Sequence, residues 1–359
     1  MKEDTTVLII SGFGVWKKGV PKVGKIESHL GPIGAAADEA VFVCTGPTAD
    51  SMDGLDYKQV KPSKSKLLTL LKQFLVALRL SLFNDFDIVI TYSLVPYGLF
   101  GLTVGKLTRT PVHLGIIGSD LDVHAHGKYS RFVKWCFRRF DTISVKGSGY
   151  EEQLLIYGVS RERIFQLFNP PSRKFELATP NTEPTYDILW LARMSTEKNP
   201  LLFVDILTEL RDRDVGFSAA MVGGGPLEEV VHAAVLERGL EEMVDLPGWS
   251  DNPIDYFEDA SMYVLTSDRD MLPISLLEAM YCGAVPIAPS LGAIPDLIQD
   301  RENGILIEDD QASKYAEPIA RLLNNDCERQ QLSEKATIIK QQISYDASAD
   351  TWEEIINNL

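Results

Sequence analysis

The chain is poor in the residues that build metal centres and disulfide frameworks. Its 359 residues include only four cysteines and five histidines. Cys44, Cys136, Cys282 and Cys327 lie far apart and form no C-x2-C pair. That argues against a zinc ribbon and against a disulfide-stapled fold. The thiols are read as reduced, and a cytoplasmic setting is expected. The histidines show no metal-ligand spacing on a helix beyond the short His124-x-His126 step, so no metal site is expected. No apolar run approaches the roughly 20 residues that a bilayer-spanning helix needs. The opening MKEDTTVLIISGF places acids before a short apolar run and offers no small-residue cleavage site. It is read as a first β-strand and not as a leader. Positive charge is scarce as well, with 35 Lys+Arg against 51 Asp+Glu and a net charge of −16. Such a chain repels nucleic acid, which is excluded as a partner.

What is present is enough apolar residue for ordinary globular cores, 45% of the chain, over a length that suggests two domains. The charge is unevenly placed. Residues 1–180 carry 23 Lys+Arg and 17 Asp+Glu, whereas residues 181–359 carry 12 and 34. Short runs rich in β-branched residues read as buried parallel strands: Val7–Ser11, Ala40–Cys44, Ile88–Tyr92, Val112–Ile117 and Thr142–Val145. A second set follows at Ile188–Leu191, Phe217–Val222, Val244–Leu246, Met262–Leu265, Val285–Ala288 and Ile305–Ile307. Helical spacing separates them, as at Lys64–Phe83, Arg131–Phe140, Pro200–Arg211, Pro226–Arg238, Asn252–Asp259 and Ser275–Cys282. Strands alternating with such helices imply βαβ units with right-handed crossovers, hence two doubly wound α/β domains. Residues 169–185, rich in Pro, Thr and Asn, read as the linker, and residues 344–359 as a final helix.

The most informative stretch runs from Leu265 to Gly304. Asp270 is followed by Met271, Leu272, Pro273 and the apolar helix ISLLEAMYC, which carries Glu278. Ligands of open α/β sheets bind beyond the carboxyl ends of the strands, where Asp270 and the backbone of Met271–Leu272 are expected. The helix starting near Pro273 offers free N–H groups to an anion. A carboxylate one to two turns in, such as Glu278, can accept paired hydrogen bonds from a vicinal diol. Ala192–Lys198, directly after a strand, contributes two cations, Arg193 and Lys198. VGGGP at 222–226 follows another strand and lets backbone approach a ligand closely. It lacks the continuation of a dinucleotide fingerprint.

These features together resemble family four of the retaining GT-B glycosyltransferases. There the donor site commonly reads E-G-x-P-x-S-L-L-E-A-M; here Asp270 replaces the first Glu and Met271 the Gly. The usual G-R-x4-K begins with Ala192, while Arg193 and Lys198 match. The resemblance implies two Rossmann-like domains facing a cleft, an acceptor-side domain at 1–170 and a nucleotide-sugar-binding domain at 186–343. It implies that the 344–359 helix crosses back to the first domain, where Trp352 suits the packing. It further implies transfer of a sugar from a nucleotide diphosphate sugar, with retention and without metal or cofactor, to a glycan or polyprenyl-linked acceptor. Arg193 and Lys198 would neutralise the departing diphosphate, Asp270 would hold the sugar and Glu278 the ribose. Met271, Leu272, Pro273, Gly224 and Gly248 would line the donor. A non-catalytic GT-B subunit, a nucleotide-sugar epimerase and a phosphorylase are the alternatives.

The first half matches more loosely. Gly12-Phe13-Gly14 and Gly24-Lys25 are candidates for the family's glycine-rich loop, with Gly24 assigned to the donor. Gly118-Ser119-Asp120 follows a strand where the family often has His-Gly-x-Asp. Asp120 is kept as a catalytic candidate, but Ile117 replaces the His and removes its hydrogen bonds. His113 reads as a core residue, and His124 or His126 as a substitute for the missing one. Lys146-Gly147-Ser148 and Asn169 occupy family-like turns. Finally, Lys58–Arg79 reads as a basic amphipathic helix with Lys61, Lys64, Lys66 and Lys72. Such a helix either packs on the sheet or meets an anionic lipid surface on the inner face of the cell membrane. Arg131, Lys134, Arg138 and Arg139 extend the patch.

Overall fold

A computed structural model describes residues 5–12, 23–45 and 54–359. The chain divides into two compact units, one formed by residues 1–172 with 343–359 and the other by Arg173–Gln342. The first unit holds a parallel sheet of seven strands: β1 (Thr6–Ile10), β2 (Glu39–Thr45), β3 (Leu55–Val60), β4 (Ile88–Tyr92), β5 (Val112–Gly115), β6 (Thr142–Val145) and β7 (Ile164–Gln166). Their order is β3-β2-β1-β4-β5-β6-β7. The central strands are fully buried apolar runs, as sequence reading expects for a sheet covered on both faces.

Helices α1 (Val23–Ala36), α2 (Lys66–Phe83), α3 (Leu99–Thr108), α4 (Ser130–Phe137) and α5 (Ser148–Ile156) connect these strands. The chain steps one way along the sheet from β1 to β3 and the other way from β3 to β7. With right-handed crossovers, α1 therefore lies on one face and α2, α3, α4 and α5 on the other. The closing helix, Tyr345–Asn357, joins α1 on its face. Trp352 is 1% exposed there and meets His113 edge-on at 4.9 Å. His113 is a core residue: its ring nitrogens lie 2.9 Å from Thr142 Oγ1 and Ser144 Oγ, and burial pushes its pKa down to about 3.

Part of the basic stretch is not helix. Lys58 lies on edge strand β3, and helix α2 begins only at Lys66. Pro62 and two serines, Ser63 and Ser65, separate the two elements; proline disfavours helical geometry in the residue before it.

The second unit holds six parallel strands: β8 (Tyr186–Leu191), β9 (Ala219–Val222), β10 (Val244–Gly248), β11 (Ala260–Val264), β12 (Val285–Pro289) and β13 (Ile305–Ile307). Their order is β10-β9-β8-β11-β12-β13. Its helices are α6 (Pro200–Asp212), α7 (Glu228–Glu237), α8 (Ile254–Glu258), α9 (Ile274–Tyr281), α10 (Ile294–Leu297), α11 (Ala312–Leu323), α12 (Asp326–Ala336) and α13 (Ile339–Gln342). Ile188, Trp190, Phe203, Met221, Met262 and Ile287 are among the buried residues of its core. The stretch read as linker is partly built into this unit. Arg173–Leu177 forms a short 3-10 turn, Phe175 is fully buried, and its ring meets Phe257 at 6.0 Å.

Candidate functional site

The switch from leftward to rightward strand order in the second sheet falls between β8 and β11. That is where an open α/β sheet leaves a crevice beyond its strand ends. The loop after β8 carries Arg193 and Lys198; the loop after β11 carries Asp270. Sequence alone does not reveal that these loops are tied to each other. Thr266 Oγ1 stands 3.0 Å from the carbonyl oxygens of both Lys198 and Asn199. Trp190 Nε1 donates to the same hydroxyl oxygen at 2.9 Å. Asp268 N donates to Glu197 O at 3.1 Å, and Asn199 Nδ2 to Asp268 Oδ1 at 2.9 Å. Asn199, at φ 45°, also caps α6 by accepting from Leu202 N. These bonds bring Lys198 Nζ onto Asp270 Oδ2 as an ion pair, with both side chains about one-fifth exposed. Arg193 is exposed, and its charge acts on Glu197.

The Asp270 loop is gripped from its other side. Ala293 N donates to Met271 O at 2.7 Å. Gly292 has φ 58°, and a Cβ there would overlap the carbonyl oxygens of Asp270 and Met271. Met271 and Leu272 are buried. Pro273 then opens α9 with extended backbone and no side-chain cap, so the helix presents its first N–H groups uncapped.

Glu278 lies in the second turn of α9, among the buried Leu276, Leu277, Ala279 and Met280. Burial raises its pKa to about 7, with Lys174 pulling the other way. Among the described residues no hydrogen bond or ion pair holds this carboxylate. A half-buried acid without such a bond is a candidate for a ligand contact. Tyr263 marks its relation to Asp270. The buried phenol lies 2.8 Å from Ser275 Oγ and 3.3 Å from Leu191 O. Burial raises its pKa, and Asp270 and Glu278 both add to that rise. Both acids therefore act electrostatically on the same phenol.

The glycine loop is shaped by its neighbour. Met194 N donates to Gly224 O at 3.1 Å, and Leu227 N to Met194 O at 3.0 Å. A Cβ at Gly223 would strike Ala192 O, and one at Gly225 would strike Met194 O. Two of the three glycines are thus needed for loop packing, which leaves Gly224 as the one beside Trp249. Gly248, at φ 77°, has open space where its Cβ would stand.

The candidates of the first unit fare differently. Asp120 is completely buried. Its Oδ1 accepts from Leu94 N at 3.0 Å and Ser93 Oγ at 3.1 Å, and its Oδ2 from Ile117 N at 3.1 Å. Burial raises its pKa against those bonds. The carboxylate is spent on joining the loops after β4 and β5. His124 Nδ1 stands 3.6 Å from Asp120 Oδ1, and His126 Nε2 lies 3.0 Å from Gln153 Nε2. Gly24 sits in the first turn of α1. Phe13 and Gly14 of the other glycine candidate lie outside the described residues. Among the described residues no group of three or more His, Cys, Asp or Glu stands ready for a metal.

Two parallel, helix-covered sheets of this order define a GT-B fold, and comparison bears that out. HepE of Anabaena, solved in complex with UDP, superposes over 99% of this chain and 100% of its own, at a TM-score of 0.79 and 15% identity. The lipopolysaccharide outer core galactosyltransferase WaaB superposes over 98% of this chain and 99% of its own, with TM-score 0.72 and 20% identity. Residues 173–338 match the family model described as Glycosyl transferases group 1, so the second unit belongs to that family. The putative colanic acid biosynthesis glycosyltransferase WcaL of Escherichia coli K12 is 26% identical over 251 residues, 62% of this chain. A Campylobacter jejuni enzyme named as a diNAcBac-PP-undecaprenol-linked α-1,4-N-acetyl-D-galactosaminyltransferase is 26% identical over 225 residues, 59% of this chain. The chain spans 59% and 60% of the lengths of these two relatives.

Proposed function

We propose that the protein transfers a sugar from a nucleoside diphosphate sugar to a glycan or polyprenyl-linked acceptor, with retention and without metal. The observation that carries this reading is the Lys198–Asp270 pair at the joined ends of β8 and β11, beside the uncapped start of α9. A leaving diphosphate gathers charge on its oxygens, and fixed cations and free amides stabilise that charge as it develops. Lys198 and Arg193 supply the cations. Asp270 orients Lys198 and accepts from hydroxyls of the sugar. Glu278, which no hydrogen bond or ion pair holds among the described residues, takes the ribose diol. Gly224 and Gly248 admit the nucleotide to the backbone, and Met271–Pro273 line the sugar. Asp120 holds the turn between two strand ends in the first unit. The UDP bound by HepE and the undecaprenol-linked substrate in the Campylobacter enzyme's name make UDP-sugars and polyprenyl-linked glycans the first probes.

A panel of UDP-, GDP- and ADP-sugars, with released nucleotide quantified by chromatography, tests the reading. Release from one donor that is accelerated by an acceptor and persists in chelator supports it, and the anomeric configuration of the product reads the stereochemistry. Nucleotide binding without turnover on any donor would favour a non-catalytic subunit. Ile117 in the usual His position, and the commitment of Asp120 to the fold, give that second reading its support.

A further inference from the structure

Helix α2 is turned the wrong way round for a helix packed on a sheet. Its buried residues are Gln73, Ala77 and Ser81. Many of its large apolar side chains face out: Leu67 is 75% exposed, Leu68 52%, Leu75 51% and Phe83 80%, while Phe74 is half-buried against Phe100. Such helices ordinarily point their apolar stripe at the core. The inversion is fixed by a specific contact, since Gln73 Nε2 donates at 2.9 Å to both Ser11 O and Val43 O at the ends of β1 and β2. Lys72 and Arg79 interrupt the exposed leucines, and Lys64 precedes them. No acid occurs between Asp56 and Asp85. No helix among the described residues is long and apolar enough to cross a membrane.

A second patch points the same way. Helix α4 lies on the same sheet face as α2. There Phe132 and Trp135 are 47% and 43% exposed and stack at 5.9 Å, with the Arg139 guanidinium 4.6 Å over the Trp135 ring. Aromatic rings beside arginines suit the boundary between lipid headgroups and water. Exposed apolar side chains interspersed with cations, on an α2 segment that carries no acid, match one partner chemistry, an anionic bilayer surface. The acidic remainder of the chain is repelled by such a surface.

We infer that the leucine face of α2 lies in the headgroup region of an anionic membrane, with the Trp135–Arg139 patch of α4 as its second contact. This deepens the proposed function by naming how a membrane-borne acceptor is reached, yet its test does not depend on transfer.

The full chain is sedimented with vesicles of phosphatidylcholine alone or mixed with phosphatidylglycerol. The expected result is binding to the mixed vesicles only, weakening as salt rises. Leu68→Glu with Leu75→Glu is expected to lower the partition coefficient at least about tenfold, since it both removes apolar area and adds repelled charge. Lys64→Gln with Lys72→Gln and Arg79→Gln is expected to lower it and flatten its salt dependence. All these side chains are exposed, and circular dichroism checks that the variants fold. Protein remaining in the supernatant with mixed vesicles at low salt overturns the inference. So does equal binding by the leucine variant, or a dimer in size-exclusion chromatography that the same variant splits, which would make a second copy the occupant. Vesicle binding without nucleotide release would retain this inference and remove the proposed reaction.

Discussion

Two loops, one in each unit, follow a buried parallel strand and carry an aspartate, and they use it in opposite ways. After β5, Asp120 is fully enclosed and accepts from two backbone amides and a hydroxyl. After β11, Asp270 keeps part of its surface open and pairs with a side chain, the Lys198 ammonium. The first loop uses its acid to hold itself. The second is held by others, through Thr266, Asn199, Asp268 and Gly292, so its acid is left for a ligand. An acid at a strand end is therefore a functional candidate only when something else supports the loop.

The comparison breaks most sharply if Lys198→Ala leaves turnover unchanged. Its loss is expected to slow nucleotide release about 10²–10³-fold, as for removal of one charge-stabilising donor, with the urea midpoint nearly constant. Asp120→Ala is expected to do the reverse. It orphans one buried and one part-buried amide at about 1–3 kcal/mol each, so an unfolding free energy lower by about 2–6 kcal/mol is expected in urea titration. Asp270→Ala, by contrast, is expected to shift stability by less than about 1 kcal/mol, as for a partly exposed pair. A reversed ranking of the two aspartates in urea would overturn the distinction between them.

Glu278 sharpens the contrast through pH. Its folded pKa of about 7 lies above the ordinary value of 4.5. The folded state then holds a proton that the unfolded state has released, so this group's contribution to stability is fully present below pH 4.5. It is lost as pH rises through 7. Glu278→Gln removes that slope, and the variant is expected to gain on the wild type between pH 5 and 8 in calorimetric melts. Nucleotide affinity is expected to move the other way, with the wild type gaining on the variant as the carboxylate ionises. Parallel pH profiles of binding would show that Glu278 does not touch the ligand. The smallest effect is expected at Gly248→Ala, about 1 kcal/mol from the left-handed backbone alone, read as a modest fall in melting temperature.

Most of the strands that sequence reading identified are buried on both faces, and the edge strands β10 and β13 were found as well. Two were missed, β3 (LDYKQV) and β7 (IFQ), and both are edge strands. An edge strand has one neighbour and a wet side, so its apolar run is broken or short. Helices α1 and α3 were obscured by their glycines and by Pro32, which local propensity counts against a helix. In the candidate site, Arg193, Lys198, Asp270 and Glu278 were singled out because they follow a strand or lie in a helix at spacings that resemble the family's. Trp190, Tyr263 and Thr266 were not, nor was the grip of the Gly292 turn on the Asp270 loop. They act across space between loops far apart in the chain, and only the sheet brings those loops together. The fate of Asp120 was hidden for the same reason, since its partner at Leu94 lies 26 residues away.

The closing helix has a consequence for how the chain matures. The second unit is an insertion into the first: the polypeptide leaves the seven-stranded unit at Ser172 and returns to it at Ile343. During synthesis, β1 to β7 emerge early, but the face carrying α1 waits for Trp352 to cover it. The six-stranded unit is continuous and can complete itself while its host is still open. A ribosome-bound chain stopped before residue 344 is therefore expected to show a protease-resistant second unit and a protease-sensitive first one, so that the first unit to begin synthesis is the last to close.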